Sequence, residues 1–208
     1  MNPPSSPFGT RNSLARAGTA GQHRGMDLLA PSTTELPSFV DALRRGWSPS
    51  TEHDISAEVL AEIEADPDEF LAGTDDRDPQ GRTVTLPDGT VVPRLPGFVR
   101  WMWDGEFAGA INIRWQAGTT ELPPTCLGHI GYSVVPWKQR RGYATDALRL
   151  LLVEARATGL PWVEITTDPD NIASQRVIQA NGGELVERFD KGPAYGGTEG
   201  LRYRISLG

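Results

Sequence analysis

The sequence predicts an α/β (α+β) protein, a mixed sheet with helices on its faces. Three observations predict it. Two Asp-Gly pairs, Asp88-Gly89 and Asp104-Gly105, each sit between short runs of alternating apolar residues, as in tight hairpins. An apolar run at residues 129–135 leads through a basic, Gly-containing loop into residues 144–157, where Ala144, Ala147, Leu148, Leu151, Leu152 and Ala155 recur at helical spacing. Strand-like and helix-like stretches then alternate to the C-terminus, which sets helices against a sheet.

Taken in order, residues 1–25 are acid-free, contain arginine and are biased to Pro, Ser, Gly and Thr, with no apolar periodicity. They read as a disordered N-terminal extension. The same bias fits a transit peptide or a stretch upstream of an alternative start at Met26. Residues 26–208 form the folded domain, since 208 residues suit one domain plus an extension. Residues 32–45 place Leu36, Phe39, Val40 and Leu43 on one helical face, and residues 57–71 form a second, acidic helix with Val59, Leu60 and Ile63 as its stripe. The hairpin strands follow at 83–86 with 90–92 and at 98–103 with 107–115. In the last of these Ile111, Ile113 and Trp115 alternate with Asn112 and Arg114.

Pro136 ends the strand at 129–135 because it cannot donate to a ladder. Gly159 and Pro161 stop the long helix. A strand at 162–167, a helix at 172–180, and strands at 184–189 and 201–205 complete the chain.

The net charge of −7 argues against broad attraction to nucleic acid or to an anionic membrane surface, so neither is expected as a partner. No apolar run approaches the roughly 18 residues of a membrane span. With Cys126 alone there is no intrachain disulfide and no cysteine metal cluster. No metal is expected, and a reducing cytoplasm is the expected location.

The most informative segment is Gln139, Arg140, Arg141, Gly142, Tyr143, Ala144 and Thr145. A glycine between a strand and a helix lets the backbone curl, and the first amides of the helix then point outward at its positive end. That is an anion site, to which the two arginines add charge. A dinucleotide loop fits less well, because it needs three spaced glycines and an acid about 20 residues on, whereas only Gly142 is available. No Gly-Lys-(Ser/Thr) occurs either, which excludes a Walker loop.

The order strand, Gln139-x-x-Gly142-x-Ala144, helix, strand, then Asn171 and Ser174 resembles the GNAT acetyltransferases over roughly residues 26–207. The strings Gly128-His129-Ile130-Gly131-Tyr132-Ser133 and Asn171-Ile172-Ala173-Ser174 resemble a prokaryotic subgroup of that family. The resemblance implies a mostly antiparallel, twisted sheet flanked by helices on both faces, with splayed central strands. It implies acetyl-CoA as donor, with the pyrophosphate on the loop, and transfer to a primary amine of a small molecule or peptide by direct attack in a ternary complex. By the same likeness Val134 and Val135 bind the pantetheine arm, and Asn171, with Ser174 beside it, contacts the cofactor. Asn171 equally suits an N-cap.

Glu164 and His129 are both candidates for the base that takes the amine proton, and Tyr132 or Tyr195 for the acid that protonates the thiolate, which is a fair leaving group and can also depart without one. The family commonly has a tyrosine for this acid at the position of Ile178, and a Gly-Phe where this chain has Gly182-Gly183-Glu184. That departure keeps a second reading open, a non-catalytic or regulatory acyl-CoA-binding module. Asn112 and Arg114, with Trp47, Trp101, Trp103 and Trp115, are candidates to line the acceptor site, and Arg114 there would favour a carboxylate-bearing amine. A homodimer is the assembly the resemblance implies.

Overall fold

The computed structural model describes residues 25–51, 53–86 and 88–208. The expected disordered extension, Gly25 apart, lies outside them. The chain runs β1 (Asp27–Leu29), α1 (Leu36–Arg44), α2 (Ser56–Ala65), α3 (Pro67–Ala72), β2 (Asp75–Asp76), β3 (Thr83–Thr85), β4 (Val91–Pro93), β5 (Gly97–Trp103) and β6 (Phe107–Arg114). It continues through β7 (Ile130–Val134), α4 (Tyr143–Ala155), β8 (Trp162–Thr167), α5 (Ile172–Ala180), β9 (Glu184–Asp190) and β10 (Glu199–Ser206).

The predicted helix over 57–71 is two. Asp66 takes an extended backbone, φ −157°, and its carboxylate accepts from the amides of Asp68 and Glu69 at 3.1 and 3.0 Å, so it caps α3 with Pro67 in the first turn. The strand β1 carries no periodicity of its own because it is only three residues long. It is a strand by virtue of pairing with β5.

Among the described residues every strand pair is antiparallel. They form not one sheet but a larger one, β1-β5-β6-β7 with β2 also on β5, and a smaller one, β8-β10-β9, beside the β3-β4 hairpin. The two sheets touch at one end. There the His129 amide donates to the Glu164 carbonyl at 2.7 Å, and the Glu164 amide donates to His129 Nδ1 at 3.0 Å. Beyond that point β7 and β8 separate, which is the splay expected of the central strands.

Strand alternation sends two sets of side chains to opposite faces. Phe98, Met102, Ala108, Ile111 and Ile130 pack with Ala147, Leu148 and Leu151 of α4 and with Val163, Ile165 and Tyr203 of the smaller sheet. On the other face Trp101, Phe107 and Val135 pack with Leu36, Phe39 and Leu43 of α1 and Val59 and Ile63 of α2. Trp101 stacks on Phe39 at 4.7 Å, and Trp101 and Trp47 are 1% and 3% exposed, so these two tryptophans are core and not acceptor lining. Arg100, buried on the α4 face, pairs with Glu154 of α4 and Asp75 of β2.

Candidate functional site

The split between β7 and β8 opens into a cleft of about 750 Å³, walled by β7, the end of β8, the start of α4 and one face of α5. The ladder decides what β7 offers it. Arg114 N–H bonds the His129 carbonyl and Val135 N–H bonds the Ala108 carbonyl, so odd-numbered residues of β7 spend their polar groups on β6. By alternation the N–H and C=O of Tyr132 and Val134 point the other way, into the cleft. Val135, expected to bind the pantetheine arm, is fully buried, and its carbonyl is also taken, by the Lys138 amide. Only Val134 of the pair can serve.

The loop has the shape of an anion cradle. Arg140 has φ +62° and Gly142 φ +86°, two left-handed residues that turn successive amides toward one point. The first backbone bond of α4 is from Asp146 N–H to the Gly142 carbonyl at 3.0 Å, which leaves the amides of Tyr143, Ala144 and Thr145 free at the helix start. Among the described residues, chain neighbours apart, nothing lies within 4 Å of where a Gly142 Cβ would stand. The Gln139 side chain donates back to the Val134 carbonyl at 3.3 Å.

Of the two arginines, Arg140 lines the cleft. Arg141 turns away, to the Trp137 carbonyl at 3.4 Å and toward Asp104 at 4.0 Å.

Asp104, read from sequence only as a turn residue, anchors this loop. It accepts from the Tyr143 hydroxyl at 2.6 Å and pairs with the buried Lys138 ammonium, which also meets Glu106 at 2.8 Å. Burial works to raise the Asp104 carboxyl, but the Lys138 and Tyr143 hydrogen bonds outweigh it and hold it below its ordinary value. The hydrogen bond to Asp104, more than burial, raises the Tyr143 phenol.

The α5 wall carries Asn171 and Ser174. Asn171 Oδ1 accepts from the Ser174 amide at 3.0 Å, so it caps α5 and lines the cleft as well. The Tyr132 hydroxyl reaches Ser174 Oγ at 2.9 Å, linking β7 to α5 across the opening. Burial pushes its phenol up to about 12, with Ser174 opposing. Ile178 is fully buried, and a Cβ on Gly183 would come within 2.3 Å of its side chain, so that glycine is required before β9 begins.

The two expected bases sit elsewhere. The Glu164 carboxylate faces a second hollow of about 520 Å³, with Arg202 at 2.9 Å and Arg204 at 2.7 Å. Burial opposes these arginines, yet they hold the carboxyl below its ordinary value. His129 is fully buried at the junction of the sheets. Accepting at Nδ1 makes it the Nε2–H tautomer. Among the described residues Nε2 has no partner at hydrogen-bond geometry, although the Thr120 carbonyl is close enough to favour the charged form.

Burial, the largest effect, lowers the imidazole below 6.5; Glu164 opposes it, while Arg114 and Arg202 reinforce it. A depressed histidine leaves the unfolded chain to take the proton first, so its contribution is present above about pH 6.5 and is lost as pH falls below it. Thermal melts from pH 7 to 5 should therefore show declining stability. In His129→Asn, whose amide oxygen can still accept from Glu164, the decline should be flatter. Equal slopes would contradict this.

On the α1 face of β6, Arg114 reaches over Gly131. Its guanidinium nitrogen is 3.2 Å from where a Gly131 Cβ would stand and 3.4 Å from Asn112 Oδ1. Asn112 and Arg114 therefore come together over Gly131, a residue of the cleft wall, but do not themselves line the cleft. Trp47 Nε1 donates to Ser133 Oγ at 3.0 Å, which ties the loop after α1 to β7 and brings Thr51 to the cleft wall. Sequence reasoning missed Thr51, Asp104 and Arg176. Arg176 alone was findable, since it follows Ala173 by three residues on the helix face that lines the cleft.

No helix among the described residues is long and apolar enough to cross a membrane. Residues 48–184 match the family model of the acetyltransferase (GNAT) domain. No curated protein is matched. The chain is similar to the solved structure of a GNAT-family acetyltransferase from Streptococcus pneumoniae, with 13% identity, 88% of this chain and 99% of that one covered, and a TM-score of 0.58. It is similar to the Salmonella typhimurium acetyl transferase that modifies the N-terminal serine of ribosomal protein L7/L12, with 16% identity, coverage of 88% and 95%, and a TM-score of 0.55. A third is the microcin C7 self-immunity acetyltransferase MccE in complex with acetyl-CoA and AMP, with 14% identity, coverage of 88% and 93%, and a TM-score of 0.54. At such identities the likeness speaks for the fold alone.

Proposed function

Since the chain belongs to the GNAT acetyltransferase family, we propose that it moves an acetyl group from acetyl-CoA to a primary amine of a small molecule or peptide, by direct attack in a ternary complex. The observation that carries this is the continuity of the cleft, from free helix-start amides at one end to the Val134 N–H at the other. Its parts suit the donor. The loop amides and Arg140 take the pyrophosphate. The β7 edge bonds the pantetheine amides, with Asn171 on the opposite wall. Likeness to MccE, which binds acetyl-CoA, and to an enzyme modifying a protein N-terminus supports the donor and the amine class.

The chemistry then follows from these groups. The amine nitrogen attacks the thioester carbonyl, and the Val134 N–H stabilises the oxyanion as it forms. Collapse breaks the carbon–sulfur bond, and the thiolate takes the Tyr132 proton, which a phenol near 12 still holds at neutral pH. The nitrogen's proton leaves through water, because Glu164 and His129 face away from the cleft. Tyr132 regains its proton from solvent beside Ser174. Arg114, over Gly131, suits an acceptor bearing a carboxylate.

Tyr132→Phe tests the assignment of the acid. It should lower kcat about tenfold or more while leaving the KM for acetyl-CoA within about twofold. A wild-type kcat would remove Tyr132 from the mechanism. The burial of Ile178 favours one other reading, a binding module without catalysis, which predicts tight CoA binding and no thiol release with any amine.

A further inference from the structure

We infer that Arg176 reads the 3′-phosphate of the coenzyme's ribose, so that the site selects coenzyme A over its dephospho form. This rests on the donor reading above. Four lysine and arginine side chains line the cleft. Two are committed within the protein, Lys138 to Asp104 and Glu106, and Lys191 to Asp168. The other two, Arg140 and Arg176, form no ion pair among the described residues, although the chain carries an acidic excess that could supply partners. They stand on opposite walls.

Coenzyme A brings two separate phosphate centres, a pyrophosphate diester and a 3′-monoester that is close to a dianion at neutral pH. The loop amides of 140–145 and Arg140 belong to one piece of backbone and converge on one point, which accounts for the diester. They leave the monoester without a counter-charge.

Arg176 is on the helix across the cleft. The Asn181 amide holds that helix to the first turn of α4, donating to the Thr145 carbonyl at 3.2 Å and to the Val177 carbonyl at 2.9 Å. Arg176 thus lines the cleft from the α5 wall, between Ser174, which meets Tyr132, and Asn181, which meets the first turn of α4. Its planar fork matches two oxygens of a phosphate monoester.

Calorimetric titration of the wild type, Arg176→Gln and Arg140→Gln with coenzyme A and with dephospho-coenzyme A tests this. The wild type should bind coenzyme A roughly tenfold or more tighter. Arg176→Gln should abolish that ratio without changing the affinity for the dephospho form, which also serves as the folding control. Arg140→Gln should weaken both ligands alike. Equal binding of the two ligands by the wild type, or equal weakening of both by Arg176→Gln, would overturn the inference and leave the donor reading standing. If the wild type binds neither ligand, the donor reading itself falls, and the inference with it.

Discussion

Gly142→Val is expected to lose coenzyme A binding by at least about a hundredfold while the protein stays folded. Two effects act together. At φ +86° a β-branched residue is strained by roughly 1–2 kcal/mol or more, and the loop relieves the strain by rotating the peptides on either side. Those peptides carry the amides that converge on the phosphate. The new side chain also enters open space at the helix start, beside the amides that would hold an anion. The fold survives because that empty, exposed position packs against nothing. Titration with coenzyme A alongside a thermal melt checks both halves, and unchanged affinity in a folded variant would mean that the pyrophosphate is held elsewhere.

Asp104→Ala is expected to cost about 3 kcal/mol of stability and to weaken coenzyme A binding about tenfold. Lys138 is only 3% exposed, so removing Asp104 leaves a buried ammonium with Glu106 as its sole carboxylate, and it takes the acceptor from the Tyr143 hydroxyl. The remaining pair keeps the loss near the low end for a broken buried ion pair. Binding suffers because Asp104 ties Lys138 and Tyr143, on either side of residues 139–142 of the phosphate loop, to the β5-β6 turn.

The Asp104 carboxyl lies below its ordinary value. Its contribution is therefore present above the ordinary carboxylate range and is lost as pH falls through its lowered folded value. Urea unfolding at neutral pH measures the loss. The double variant Asp104→Leu/Lys138→Met should recover most of it, since replacing both charges removes the unpaired one. A single variant within about 1 kcal/mol of the wild type would contradict the anchoring role.

What was legible in the sequence is what local spacing encodes. The phosphate loop and α4 could be read because residues 139–155 contain their own turn glycine, helix start and apolar stripe. The cap role of Asn171 and the buried face of β6 were legible for the same reason. The α2–α3 break is a local signal too, an Asp-Pro step that the apolar stripe obscured.

The rest depends on partners distant in the chain. Glu164 looks like a cleft carboxylate until Arg202 and Arg204, on a strand that follows much later, claim it. Asp104 looks like turn punctuation until Lys138 and Tyr143 fold onto it. His129 has the chemistry of a base, but its position at the junction of two sheets keeps it neutral and out of reach. The separation of β7 from β8 was expected only through the family resemblance, because alternation shows which side chains face inward and not which strands share hydrogen bonds.

The most direct test of acetyl transfer within this cleft is free thiol release from acetyl-CoA, followed for the wild type and for Gly142→Val across a panel of primary amines that includes carboxylate-bearing ones and peptide N-termini. Acetyl transfer in this cleft predicts release that requires an amine, yields that amine acetylated on nitrogen, and is lost in Gly142→Val. Wild-type release that proceeds equally without amine, or amine acetylation that survives in Gly142→Val, would contradict it.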